Sequence, residues 1–181
     1  MLLKPNGNID ELCYPFIFEK SAKCDFEIVT DQLCRSLGTC IDQVSEEFPD
    51  LYEEWDKLQP LVFHLNGSIR GRLAISEQDL DWLKTCYHQR QEEVKEHLSG
   101  FVLPRGKAPV GELNQCSSQT KQAIRWMVRL QREEEVEVPD VLSRFANLLC
   151  NYFFVCTMVI NRRRGEKEIP FESKSYGAAA K

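Results

Sequence analysis

From about Asp25 to the arginine run at 162–164, apolar residues recur at alternating intervals of three and four, the period of a helix with one face on a core. Five such segments follow one another, and the periodicity is helical almost everywhere in this span. The first is predicted from about Asp25 to Glu47, with Ile28, Leu33, Leu37, Cys40 and Val44 inward and Pro49 closing it. A second runs from about Asp50 to Leu73 on Leu51, Trp55, Leu58, Val62, Leu65 and Ile69; Pro60 falls inside it, so the helix kinks or starts there. A third opens at Ser76, whose hydroxyl and Asp79 form a capping-box pair, continues through Leu80, Leu83, Tyr87, Val94 and Leu98, and stops at Gly100. The fourth, about Gly111 to Glu134, carries Leu113, Cys116, Thr120, Ala123, Met127 and Leu130 on one stripe. The fifth begins at Pro139 and buries Val141, Phe145, Leu148, Tyr152, Val155 and Val159.

This fifth segment is apolar on its other faces too, through Leu142, Ala146, Leu149, Phe153, Phe154, Cys156 and Met158. Such a helix is central in a bundle or covered by another chain. Arg144, Asn147 and Asn151 recur along one side, so a polar seam crosses it; that seam argues against a membrane span and for an oligomer with a site at its interface.

Composition narrows the classes further. A net charge of -5 argues against a nucleic-acid footprint. The basic run at 162–164 lies at a helix end, where cations meet the partial negative charge of the last carbonyls. The eight cysteines are scattered and form no C-x-x-C pair, so they read as small buried hydrophobes in a reducing cytoplasm. The three histidines lack metal-ligand spacing, no metal site is expected, and the N-terminal residues have no signal-peptide pattern. The 181 residues are read as one domain: an extended segment over 1–24, a five-helix bundle over 25–164 and a tail over 165–181.

One stretch breaks the expected polarity of a loop. FVLPRGK, Phe101 to Lys107, joins two predicted helices yet starts with three apolar residues, which implies a cover: the protein's own core, a partner subunit or a ligand. Five helices with FVLPRG between the third and fourth resemble the PduO-type ATP:cob(I)alamin adenosyltransferases, in which this stretch reads F-I-L-P-G-G. The family's R-x-x-x-R-R-x-E-R in helix four falls on Ser117, Lys121, Gln122, Ile124 and Arg125; its F-L-N-R-L-S-D-Y-L-F is similar to FANLLCNYFF at 145–154; and VTDQLCRSLG places Asp31 on the helix-one aspartate.

The resemblance implies an all-α, up-and-down, ferritin-like bundle assembled as a homotrimer with sites between subunits. It implies transfer of the 5′-deoxyadenosyl group of ATP to cob(I)alamin with release of triphosphate, Mg²⁺ being a candidate companion of ATP and a reductase and an adenosylcobalamin-dependent acceptor enzyme candidate partners. Phe101 would pack under the corrin, Phe171 would add a second apolar contact, and Lys121 and Arg125 would face the phosphates. Asp31 and Asn147 join the binding set, Asn147 because an amide on so apolar a helix must find a partner. Asn6 and Gly7 stand where the family has a triphosphate-cradling loop, T-x-x-G-D-x-G-x-T, here reduced to Lys4-Pro5-Asn6-Gly7-Asn8. Because that loop and several helix-four residues depart from the family, a catalytically degenerate corrinoid-binding module on the same bundle is the alternative. From the residues alone, Lys121 and Arg125 also fit a solvated face paired with Glu112 or Glu133–Glu135, and Phe101 also fits a plug at the bundle end.

Overall fold

Five long helices account for most of this computed structural model, which describes residues 8–97 and 100–175. They are α1 (Ala22–Val44), α2 (Pro49–Gly67), α3 (Glu77–Val94), α4 (Val110–Glu133) and α5 (Asp140–Arg163). Two short strands, β1 (Phe101–Val102) and β2 (Pro170–Phe171), pair antiparallel at one end of the bundle. The all-α bundle expected from the periodicity is the observed architecture.

The ends of the helices follow local chemistry. Ser21 caps α1 three residues earlier than expected, its hydroxyl accepting from the Lys23 amide, and Glu134 from the end of α4 receives the Ala22 amide at 2.7 Å. Pro49 opens α2 rather than closing α1, since a first-turn proline loses no helical bond. That helix continues unbroken past Pro60, an exposed position, and it ends at Gly67, short of Ile69 and Leu73. Ser76 and Asp79 form the predicted capping box. α3 ends at Val94, before Gly100, and Leu98 lies outside the described residues.

Helix phase reverses one inward assignment and leaves two others, Tyr87 and Leu148, half-buried. Phe26, Val29, Leu33, Leu37, Cys40 and Val44 form the buried stripe of α1, which turns Ile28 outward. The heptad stripe of α4 is buried at every expected position. α5, long and apolar enough to cross a membrane by composition, spends that character inside the bundle, with only Asp140, Arg144, Asn147, Asn151, Phe154 and the terminal arginines 162 and 163 exposed. Seven of the eight cysteines are buried and unbridged.

The helices pack in the series α2, α1, α4, α5, α3. Leu33, Leu37, Trp55, Phe145, Tyr152 and Phe153 fill the centre, each buried side chain stabilising the fold by about 1.5–3 kcal/mol. One polar chain enters that core. The Trp55 indole donates to the Tyr152 hydroxyl at 3.1 Å, which donates to Glu54 at 2.6 Å; Arg90, only 3% exposed, binds Glu54 and Asp50, each at 2.6 Å. The buried Arg90 is thus matched by two carboxylates and hydrogen-bonded, as burial of a charge requires.

Candidate functional site

Gly100, with φ +95, turns the chain out of the third helical segment in the left-handed region that glycine favours. The next two residues form β1 and pair with the C-terminal segment in the register Phe101 opposite Phe171 and Val102 opposite Pro170, extended by a bond from the Leu103 amide to the Ile169 carbonyl at 2.8 Å. Directly opposed residues of an antiparallel pair project to the same face, so the two rings lie on one side of the ribbon. Phe101 is 78% exposed and Phe171 47%. The reading of Phe101 as a plug for the bundle end is therefore excluded: the strand holds the ring out.

Beside Phe101 opens a cavity of about 450 Å³ between the ribbon, α4 and α5. Phe101, Val102 and Pro104 wall it from the loop; Ser117 and Lys121 come from α4, Cys150, Asn151 and Phe154 from α5. Small residues let the two helices close at this point, where the Ser117 hydroxyl donates to the Cys150 carbonyl at 3.3 Å. Here the uncharged Ser117 occupies the place that the helix-four pattern gives to arginine, and it serves packing.

Lys121 also borders a second groove of about 420 Å³ along the outer face of α4, with Arg125, Trp126 and Arg129. One turn separates Lys121 from Arg125, so both project from the same strip. Two of the acidic partners expected for them are engaged elsewhere: Glu133 binds Arg129 at 2.8 Å, and Glu134 caps α1 through Ser21 and Ala22. Lys121 and Arg125 have no ion-pair partner among the described residues. A cavity with apolar loop walls and a polar α4 side, including Asn114 and Ser118, thus adjoins, at Lys121, a strip in which Lys121 and Arg125 are cations unpaired among the described residues.

The remaining candidates lie elsewhere. Asn147, one turn before Asn151 on the seam of α5, is exposed and donates to the Ser143 carbonyl at 2.8 Å, so the expectation of a buried amide is corrected: the helix turns that side chain outward. Asp31 binds Arg35 at 2.7 Å, four residues on, and lines a separate cavity of about 460 Å³ with Tyr14, Ile28 and Phe63. Asn6 and Gly7 lie outside the described residues.

Residues 14–19, expected to be extended, instead turn back over α1 around buried Glu27. Arg70 grips Glu27 with two bonds of 2.7 and 2.9 Å, binds Glu19 at 2.7 Å and covers the Phe16 ring; Tyr14 donates to Glu27 at 2.5 Å. Burial, and then that hydrogen bond to a carboxylate, push the Tyr14 phenol up to about 12.

Sequence reasoning missed the supports of the ribbon. The seam of α5 continues at the same spacing through Phe154 and Met158 to Asn161, whose amide nitrogen donates to the Arg105 carbonyl at 2.8 Å and to Glu168 at 3.0 Å. Gly106 lies so near that a Cβ there would stand 2.4 Å from the Asn161 amide oxygen. The run V-I-N before the arginines held a signal, an amide recurring in phase with the seam.

Residues 21–160 match the cobalamin adenosyltransferase family model. A corrinoid adenosyltransferase of Bacillus subtilis (strain 168) is 28% identical over 149 residues, spanning 78% of this chain and 76% of that one. Two solved structures of variants of the PduO-type ATP:corrinoid adenosyltransferase from Lactobacillus reuteri share the fold. A phenylalanine-to-alanine variant complexed with cobalamin and ATP superposes with a TM-score of 0.73 at 19% identity, covering 85% of this chain and 88% of its own. An arginine-to-lysine variant complexed with ATP gives 0.74 at 21%, covering 84% and 88%.

Proposed function

Because the chain belongs to the cobalamin adenosyltransferase family, we propose that it transfers the 5′-deoxyadenosyl group of ATP to cob(I)alamin, releasing triphosphate, at the cavity beside Phe101. The observation that carries this reading is one continuous surface: a ring held 78% exposed at a cavity with apolar loop walls and a polar helix side, which adjoins, at Lys121, a cationic strip. The reaction needs both parts. An apolar wall below the corrin excludes water and the lower nitrogen ligand of cobalt, which makes the Co(I) state accessible as a nucleophile for C5′ of ATP. Cations fixed beside the leaving triphosphate stabilise charge that grows as the C–O bond breaks.

In this reading Phe101 and Phe171 provide the wall, and Lys121 and Arg125 bind the triphosphate. The two residues altered in the Lactobacillus reuteri variants, a phenylalanine and an arginine, are separated by the same number of positions as Phe101 and Lys121 here, which supports pairing them in one site. Asp31 and Asn147 would enter from a neighbouring subunit and from the seam. We assign a homotrimer in which the α1–α2 cavity of one copy, with exposed Ile28 and Phe63, meets the α4 strip of the next. Asn6 and Gly7 would approach the phosphates, with Mg²⁺ accompanying the nucleotide. The buried thiols suit a reducing cytoplasm, where a reductase would supply cob(I)alamin and an acceptor enzyme take the product.

The test is anaerobic mixing of protein, reduced cobalamin and ATP with the Co(I) absorbance followed in time. Decay that requires ATP and releases triphosphate is expected. Loss of an aromatic contact of about 1.5–3 kcal/mol in Phe101→Ala slows that decay about ten- to a hundredfold. Cobalamin bound with an altered spectrum, yet no ATP-dependent decay, would leave only the binding module.

A further inference from the structure

The two-stranded ribbon that presents Phe101 has little apolar support of its own. Val102 borders the cavity beside α4 on one side and a second cavity of about 480 Å³, with Met158 and Arg162, on the other. A ribbon standing between two openings is held by discrete bonds rather than by packing. Three ties reach it or its flanking turns. Lys107 binds Glu166 at 2.7 Å at an exposed position, and Arg164 donates to the Ala108 carbonyl at 2.7 Å. The third, Asn161, is 3% exposed and joins both arms at once: its amide nitrogen reaches Arg105 on the β1 side and Glu168 on the β2 side, while its own carbonyl accepts from the Glu166 amide at 2.9 Å. The loop backbone closes onto it at Gly106, where no side chain fits.

We infer that Asn161 is a positioning residue for corrinoid binding: tying both arms of the ribbon to the end of α5, it sets where the Phe101 ring stands. The amide nitrogen is what the two arms share; the amide oxygen, pressed against Gly106, has no hydrogen-bond partner among the described residues. Aspartate lacks the donor and would face a carbonyl and a carboxylate; leucine would bury both acceptors unpaired. The inference rests on the proposed seat of the corrin at Phe101, and the two are separable by experiment.

Cob(II)alamin is titrated into the protein in the presence of ATP, and the base-off spectral change is followed for the wild type, Phe101→Ala, Asn161→Ala and the double variant, with thermal unfolding of each. Asn161→Ala is expected to lower the base-off equilibrium on the order of tenfold, the loss of a buried hydrogen-bonded anchor, and to change it by less than about twofold once Phe101 is already alanine. Two independent, multiplying losses, or a lower Tm with the spectrum unchanged, would overturn the inference. An unaltered spectrum in Phe101→Ala alone would instead remove the corrin seat, and this inference with it. Should Asn161→Ala fail to fold, Glu168→Ala removes one of the two acceptors near the surface; a smaller shift in the same direction is expected, and no shift counts against the proposal.

Discussion

Phe101 drew notice because it breaks a local rule, an aromatic ring opening a surface loop, whereas Lys121 was reached through the family resemblance, with pairing to nearby glutamates as its ordinary alternative. In the structure the ring is exposed, and Glu133 and Glu134 are bound elsewhere. If Lys121 meets the triphosphate, Lys121→Met should raise the KM for ATP about ten- to a hundredfold, the range for losing a charge-assisted hydrogen bond, whereas Lys121→Arg should stay near the wild type. Steady-state kinetics in ATP decides it, and equal KM values in all three proteins would remove Lys121 from the site. Asn147 and Asn161 show where residue-level reading stops. Both are amides on one seam of one helix, yet the first is exposed and the second is covered by a loop arriving from another part of the chain. Only the tertiary contact tells them apart.

The helices themselves were largely written in the spacing of apolar positions, and α4 agrees with its predicted stripe residue by residue. Errors cluster at ends and phases. Ile28 was assigned inward because a strip of apolar residues does not say which neighbour, 28 or 29, leads the turn; packing against α4 and α2 chose Val29. Beside the α4 stripe sits Gln119, 1% exposed, with both amide atoms unpaired among the described residues. An unsatisfied buried amide costs about 1–3 kcal/mol. Gln119→Met, similar in volume, should therefore raise Tm by about 2–6 °C; a lower Tm in a thermal melt would mean that the amide has a partner in the assembled protein.

At the scale of the whole molecule, the packing series has two ends, α2 and α3, and these meet through long side chains. Arg90 reaches Asp50 and Glu54, Arg163 from α5 reaches Asp50 and Glu93, and Lys57 lies over the Trp82 ring. None of this closure was legible in the apolar pattern, because it depends on which charges the fold brings together. The Arg163 hydrogen bonds, aided by Arg90, hold the Asp50 carboxyl at about 2, below its ordinary 3.8, and Arg163 lowers Glu93 as well. A depressed carboxylate adds stability that is complete above its unfolded pKa and is lost as pH falls through the folded one. Urea midpoints should accordingly drop between about pH 4 and pH 2, and less steeply in Asp50→Asn; identical slopes would mean that the pair adds no pH-dependent stability.

A bundle fastened this way is greasy along its middle and ionic along one closing edge. In acid or brine the two outermost leaves can peel while α4 and α5, which flank the cavity, stay zipped together. The ribbon that would meet a tetrapyrrole, fastened through Lys107–Glu166 and the Asn161 bonds, loosens together with that edge, while the helices beneath it hold.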